Sequence, residues 1–294
     1  MGMPAVMNYE NLVRTMGEDA VEPFNSLKHP NPMYGLHDYT LGRLASSAQS
    51  AESFNEMIAG MFGEPENARQ FAEWAQWINY DGYRAMFEAR GQYRQGLLLW
   101  MSHPAWPSMV WQTYDYYFEP TAAYFGSKKA TEPLHIQLNL LSREVEAVNY
   151  HAGSRTGLTA TAVIRSMDGT EVGKQSASLD LPEDATQVCF PLEVPAEAGE
   201  VYYVQLSLAD AAGKELSRNF YVQGAEAGNL QALRELGQAS VKMTVSGKGP
   251  WKVTLTNNGK VPALMLRLAL KDKTTGDLIL PVLYSDNYLS LMPG

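Results

Sequence analysis

Cysteine is almost missing from this sequence, and so is any surplus of positive charge. Its single thiol, Cys189, excludes an intrachain disulfide framework and a four-thiolate zinc site, and reads as a small buried strand residue. The 23 lysines and arginines are outnumbered by 32 aspartates and glutamates, giving a net charge of -9. No basic patch is available to displace counterions from phosphates, so nucleic acid is excluded as a partner. No apolar run reaches the roughly 18 residues that a membrane span requires. The start, MGMPAVMNYE, lacks a basic region followed by an apolar core, so no signal peptide is expected there. A glycine-rich phosphate loop after a strand, a G-x-S-x-G elbow and a His-Glu-Cys cluster at metal spacing are missing too. Neither a cofactor nor a metal is expected.

What is present is ample apolar material: 45% of the 294 residues are hydrophobic, enough for two or three domains with real cores. The most informative stretch runs from residue 95 to 130. Leu97 to Trp100 is an apolar run too short for a helix, and predicts a strand buried on both faces. A ring-dense loop follows, with Trp106, Trp111, Tyr114, Tyr116, Tyr117 and Phe118, and Pro104 and Pro107 bar a helix through it. Helix returns near Glu119, with Pro120 tolerated in the first turn. Strand, loop, helix is the unit of a parallel α/β fold, whose ligands sit at the carboxyl ends of the strands.

Upstream, Asn8 is placed to cap a short helix that Gly17 ends. Residues 21 to 35 hold three prolines and two asparagines and read as a long ordered loop, a type that is usually functional. Asp38 is expected to cap a helix to about Gly60, and a second helix runs from after Pro65 to about Arg90. In it Phe71, Trp74, Ala75 and Ile78 recur at helical spacing. After Pro133 the period changes to two, and seven alternating strands between Pro133 and Gly224 predict an immunoglobulin-like sandwich. Residues 225 to 236 read as a helical linker. Four more strands follow, over Ser240–Val245, Trp251–Thr256, Leu264–Leu270 and Leu278–Leu283, too few to close a second sandwich.

Several features carry a resemblance: Trp100, the Trp106-Pro107 pair, the Tyr114-Asp115-Tyr116-Tyr117 block, the Tyr124 to Ala130 helix entering a sandwich at Glu132-Pro133, and Tyr284 to Tyr288. This text resembles the end of the catalytic barrel in glycoside hydrolase family 2, in its exo-β-glucosaminidase and β-mannosidase-like branch. The resemblance implies a multidomain α/β plus β chain. Residues 1–132 would be the C-terminal part of a (β/α)8 TIM barrel, 133–224 an immunoglobulin-like sandwich and 225–294 a second, truncated one. A bacterial periplasmic or secreted location is implied as well. In that family the nucleophile would stand just before Gly2 and the acid/base far earlier, so both catalytic carboxylates fall outside the chain.

Retaining glycosidases need two carboxyl groups about 5 to 5.5 Å apart. In the first domain Glu10, Asp38 and Asp115 are the acids in plausible loop positions, and each has a simpler role as first-turn acid, helix cap or loop anchor. Sugars pack their C–H faces on tryptophan, so Trp100 and Trp106 are the candidate substrate contacts; Trp111, Tyr116 and Phe118 read as interdomain filling. His103 either bonds a sugar hydroxyl or is solvated, and His37 either points into the same pocket or serves the cap at Asp38. The chain is thus expected to supply the pocket wall of a retaining exo-β-glycosidase, with a carbohydrate substrate, and to be inactive alone. Uncovered barrel edges make a homo-oligomer possible. The competing expectation is a non-catalytic saccharide-binding or adhesion protein built on the sandwiches.

Overall fold

The computed structural model describes residues 2–41, 51–89 and 96–294. The chain divides into two units, one formed by Met1–Thr131 with Leu268–Asn287, the other by Glu132–Arg267 with Tyr288–Gly294.

The first unit is helical. Its elements are α1 (Tyr9–Met16), α2 (Glu18–Val21), α3 (Pro32–Gly35), α4 (Ala51–Phe62), α5 (Ala68–Glu88) and α6 (Ala122–Ala130). Asn8 occupies the cap position of α1 without a side-chain cap bond, and Gly17, at φ 90°, ends the helix with its N–H on Val13 O. Asn67 caps α5 by accepting from Gln70 N at 2.9 Å. α5 buries Phe71, Ala75 and Ile78, and its inner face also carries polar groups at helical spacing. Gln76 donates to Val6 O at 2.5 Å and accepts from Ala122 N at 2.9 Å. Asn79 donates to Pro4 O at 2.7 Å, and Tyr83 OH to Trp111 O at 2.8 Å. The strandless backbone of residues 3–6 and of Trp111 has no ladder to satisfy it, so these side chains supply the partners. α6 lies so close to α5 that a Cβ on Gly126 would collide with the Tyr80 carbonyl.

Two expectations fail in this unit. Leu97–Trp100 forms no strand: residues 96–99 have no regular structure, and Leu98 is 91% exposed. A strand buried on both faces needs a ladder on each side, and among the described residues no strand of this unit offers one. Asp38 does not cap a helix either. Its φ of 62° puts it in the left-handed region, and residues 39–41 are not helical. The second half of the helix expected to run to about Gly60 is present as α4, whereas its stretch at residues 42–50 and the expected end of the next helix at Arg90 lie outside the described residues.

The second unit begins with the seven alternating strands: β1 (Leu134–Asn139), β2 (Glu144–Asn149), β3 (Arg155–Ser166), β4 (Glu171–Leu181), β5 (Ala185–Pro191), β6 (Val201–Ala209) and β7 (Glu215–Gly224). They form sheets of order β1-β2-β5 and β4-β3-β6-β7, all pairs antiparallel. On β3 the buried set Leu158, Ala160, Ala162 and Ile164 alternates with more exposed residues and meets Leu206, Leu208 and Val204 in the core. The alternation exists because successive strand side chains point to opposite faces. β1 and β7 belong to different sheets and are joined by side chains of β7. Ser217 Oγ accepts from Ile136 N at 3.2 Å, Asn219 donates to Ile136 O at 3.1 Å, and Tyr221 OH accepts from Leu138 N at 3.0 Å. These bonds satisfy the open edge of β1, which otherwise invites pairing with another chain.

Further on stand the hairpin of β8 (Val241–Ser246) with β9 (Lys252–Asn257), and the pair β10 (Ala263–Leu266) and β11 (Leu289–Leu291). The expected helical linker shrinks to a 3-10 turn at Gln231–Glu235. The strand expected at 278–283 is missing; only a single bridge, Lys271 to Leu278, occurs there. Residues 268–287 instead pack in the first unit. Asn287 ties the neck of this excursion, accepting from Leu268 N at 2.6 Å and donating to Leu268 O at 3.0 Å. Lys271 pairs with Glu10 at 3.2 Å, and Lys128 donates to the carbonyls of Tyr284 and Ser285.

Candidate functional site

The aromatic loop is ordered by its own backbone. Met101 N donates to Trp111 O at 3.1 Å, and Thr113 N and Tyr114 N both donate to Ser102 O, at 3.1 and 2.8 Å. Gln112 accepts from Val110 N and Trp111 N at 3.0 and 2.9 Å, and its amide donates to Ser108 O. Bonds of this number hold the loop without helix or ladder, as the two prolines require. Gly2 lies against it: a Cβ there would stand 2.6 Å from Trp100 O and 2.7 Å from Trp111 Cβ.

The four candidate residues fall into separate arrangements. His37 reaches the loop across 70 residues, its Nδ1 2.6 Å from Pro107 O, and its own carbonyl accepts from Met109 N at 2.9 Å. Its ring lies 6.4 Å from that of Trp106 at an interplanar angle of 29°. His103 stacks on Phe118 at 4.2 Å and 14°, with Nε2 3.3 Å from Tyr116 O. Trp106 is 44% exposed and Trp100 65%. Phe118 and Tyr116, expected as interdomain filling, are instead exposed, and Phe118, at a left-handed turn position with φ 65°, carries the His103 ring.

Two of the three candidate acids, Glu10 and Asp115, are committed to structure. Glu10 pairs with Lys271 at 3.2 Å and with Arg69 at 4.0 Å. Asp115 is 1% exposed, and its carboxylate oxygen Oδ1 accepts from Tyr117 N at 2.9 Å and Glu119 N at 3.0 Å, which fastens the turn. Asn11 donates to both Asp115 Oδ2, at 2.5 Å, and Glu119 Oε2, at 2.9 Å. Burial, and then the neighbouring Glu119 charge, push Asp115 up to about 7 against the lowering pull of its hydrogen bonds. The pairing of Asp115 with Glu119 escaped sequence reasoning, because the segment between them is a turn and carries no periodic signal. Among the described residues no group of three or more His, Cys, Asp or Glu is placed to hold a metal ion, and no helix is long and apolar enough to cross a membrane.

Comparison with known proteins adds a second line of support. Residues 219–294 match the family described as the exo-beta-D-glucosaminidase Ig-fold domain. An exo-beta-D-glucosaminidase of Amycolatopsis orientalis is 33% identical over 280 residues, covering 82% of this chain and 27% of the relative. One from Streptomyces avermitilis is 32% identical over 278 residues, covering 82% and 30%. Among solved structures, the Amycolatopsis orientalis exo-chitosanase CsxA in complex with PNP-beta-D-glucosamine superposes with a TM-score of 0.84 at 27% identity, over 99% of this chain and 37% of that one. The chain spans about a third of the length of the curated relatives it matches. Over residues 219–294 the chain thus carries an Ig-fold domain of the type found in the exo-β-glucosaminidases of glycoside hydrolase family 2, and its similarity to proteins named exo-beta-D-glucosaminidase extends through the helical unit.

Proposed function

We propose that this chain is the C-terminal part of a retaining exo-β-glycosidase that releases terminal β-linked glucosaminide- or mannoside-like sugars. Residues 1–132 supply the last portion of a (β/α)8 barrel and an aromatic wall of its pocket, and the immunoglobulin-like domains follow. The reaction's two carboxylates belong to polypeptide outside this chain. The observation that carries this reading is the commitment of Glu10 and Asp115, two of the three candidate acids in the helical unit. Asp115 is closed in with Glu119 and Asn11, and Glu10 is held by Lys271 and Arg69, while the aromatic loop exposes the rings of Trp100 and Trp106. A retaining mechanism needs an accessible carboxyl pair, whereas a sugar-binding wall needs rings. The location proposed with it, the periplasm or the outside of a bacterium, rests on the family resemblance alone. Apolar groups such as Leu98 and Trp100, exposed in the isolated chain, favour its self-association.

The test is turnover of a nitrophenyl β-glucosaminide and a nitrophenyl β-mannoside by the purified chain. No turnover is expected. Hydrolysis above the rate of a heat-denatured control would place a working carboxyl pair within these residues and overturn the reading.

A further inference from the structure

We propose that His37 is a specificity-determining residue of the Trp106 subsite, presenting an acceptor at Nε2 that favours sugars bearing an amine or hydroxyl and rejects sugars bearing a carboxylate. The inference rests on the saccharide reading of the aromatic loop given above. Its basis is a matter of protons. A carbonyl oxygen has none to give, so the 2.6 Å contact between His37 Nδ1 and Pro107 O requires the proton to sit on Nδ1. In the neutral ring Nε2 is then left as a lone pair, and among the described residues it has no hydrogen-bond partner. One nitrogen's hydrogen bond sets the role of the other.

The surroundings hold that ring in place. The backbone carbonyl of His37 receives Met109 N, so the residue is fixed to the loop at both its main chain and its side chain. Asp38, immediately after His37, takes a left-handed conformation that turns the chain away at this point. Trp106 stands next to the imidazole at 6.4 Å with its plane tilted by 29°, and remains 44% exposed. A sugar resting its C–H face on Trp106 thereby meets an acceptor beside that plate. An ammonium or hydroxyl substituent completes a hydrogen bond to the lone pair, and a carboxylate faces it lone pair to lone pair. His103, whose Nε2 faces Tyr116 O and whose ring stacks on Phe118, leaves its own acceptor at Nδ1 beside a different ring and not beside Trp106.

Two measurements on the full chain decide the proposal. The first is the tautomer of His37 by long-range nitrogen-15 correlation at pH 8: the proton is expected on Nδ1, and a proton on Nε2 overturns the proposal outright. The second is titration with glucosamine, mannose and glucuronate, read from the indole N–H of Trp106. Glucosamine and mannose are expected to bind at least about tenfold more tightly than glucuronate, the weight of one hydrogen bond to a charged or polar partner. In His37→Ala that preference should fall to within about twofold. His37→Gln, whose amide both accepts and donates, should keep glucosamine binding within about threefold and admit glucuronate. Equal binding of all three sugars by the unaltered chain overturns the proposal while leaving Trp106 as a sugar contact. Failure of every sugar to perturb Trp106 overturns both the proposal and the saccharide reading on which it rests.

Discussion

Replacing Asp115 with asparagine should remove most of the pH dependence of the helical unit's stability. The carboxyl is buried and held up to about 7, against an ordinary value of 3.8. Between those values the folded state keeps a proton that the unfolded state has released, so unfolding sheds about one proton and stability falls as pH rises. At about 1.4 kcal/mol for each tenfold change in proton affinity, that interval costs on the order of 4 kcal/mol. The stabilisation is whole below pH 3.8, is lost progressively towards pH 7, and its loss is complete above it. In Asp115→Asn the new side-chain oxygen would accept from Tyr117 N and Glu119 N as the carboxylate does, and the new amide would donate towards Glu119 once the Asn11 amide turns its oxygen inward. The variant should therefore match the parent near pH 4 and exceed it by about 2 to 4 kcal/mol at pH 8. Urea unfolding followed by tryptophan fluorescence reads this unit, since five of the six tryptophans, all but Trp251, lie in it. Parallel pH profiles for the parent and the Asp115→Asn variant between pH 5 and 8 would refute the argument.

Other substitutions probe the packing and the site. Gly126→Ala should destabilise the helical unit by about 1 to 3 kcal/mol, despite alanine's better helix propensity, because the new methyl meets the Tyr80 carbonyl; thermal unfolding measures it. Gln76→Leu leaves Val6 O and Ala122 N without their partner, and should cost about 2 to 4 kcal/mol in urea unfolding. Tyr221→Phe removes the acceptor for Leu138 N and the hydroxyl that Asn219 bonds. It should cost about 1 to 3 kcal/mol and speed hydrogen exchange at Leu138 more than at the β3–β6 ladder. Trp106→Ala, at a half-exposed position, should change stability by less than about 1 kcal/mol while abolishing any saccharide-induced shift in the His37 ring signals.

The sandwich was legible because its chemistry is local. Inward and outward residues alternate along Leu158–Ile164 and Val201–Leu208, and turns such as Asp168-Gly169, with Gly169 at φ 91°, separate the strands. α5 was legible for the same reason, from the spacing of Phe71, Ala75 and Ile78 and the Asn67 cap. The failures came where a local pattern needed a distant partner. Leu97–Trp100 has the composition of a buried strand, but composition cannot supply the neighbouring ladders. Asp38 has the side chain of an N-cap, but it stands at the other end of a helix: its left-handed backbone closes the turn after α3, where Asp38 N donates to Gly35 O and Tyr39 N to Tyr34 O. The Ser217-Asn219-Tyr221 row looks like an ordinary exposed alternation until β1 is placed beside it. Of the candidate site, the rings were visible as a ring-dense loop. The pairing of His37 with Trp106 joins positions 69 apart and follows only from the fold, although the proline-rich loop before His37 marked it as ordered.

The most direct measurement is the nucleotide sequence immediately upstream of the codon for Met1. An open frame that continues upstream through several strand-and-helix units, and closes on a strand ending in glutamate just before Gly2, is the expected result. A secretory signal peptide directly preceding Met1 would contradict it, and would leave the helical unit and its sandwiches as a binding protein with no enzyme attached.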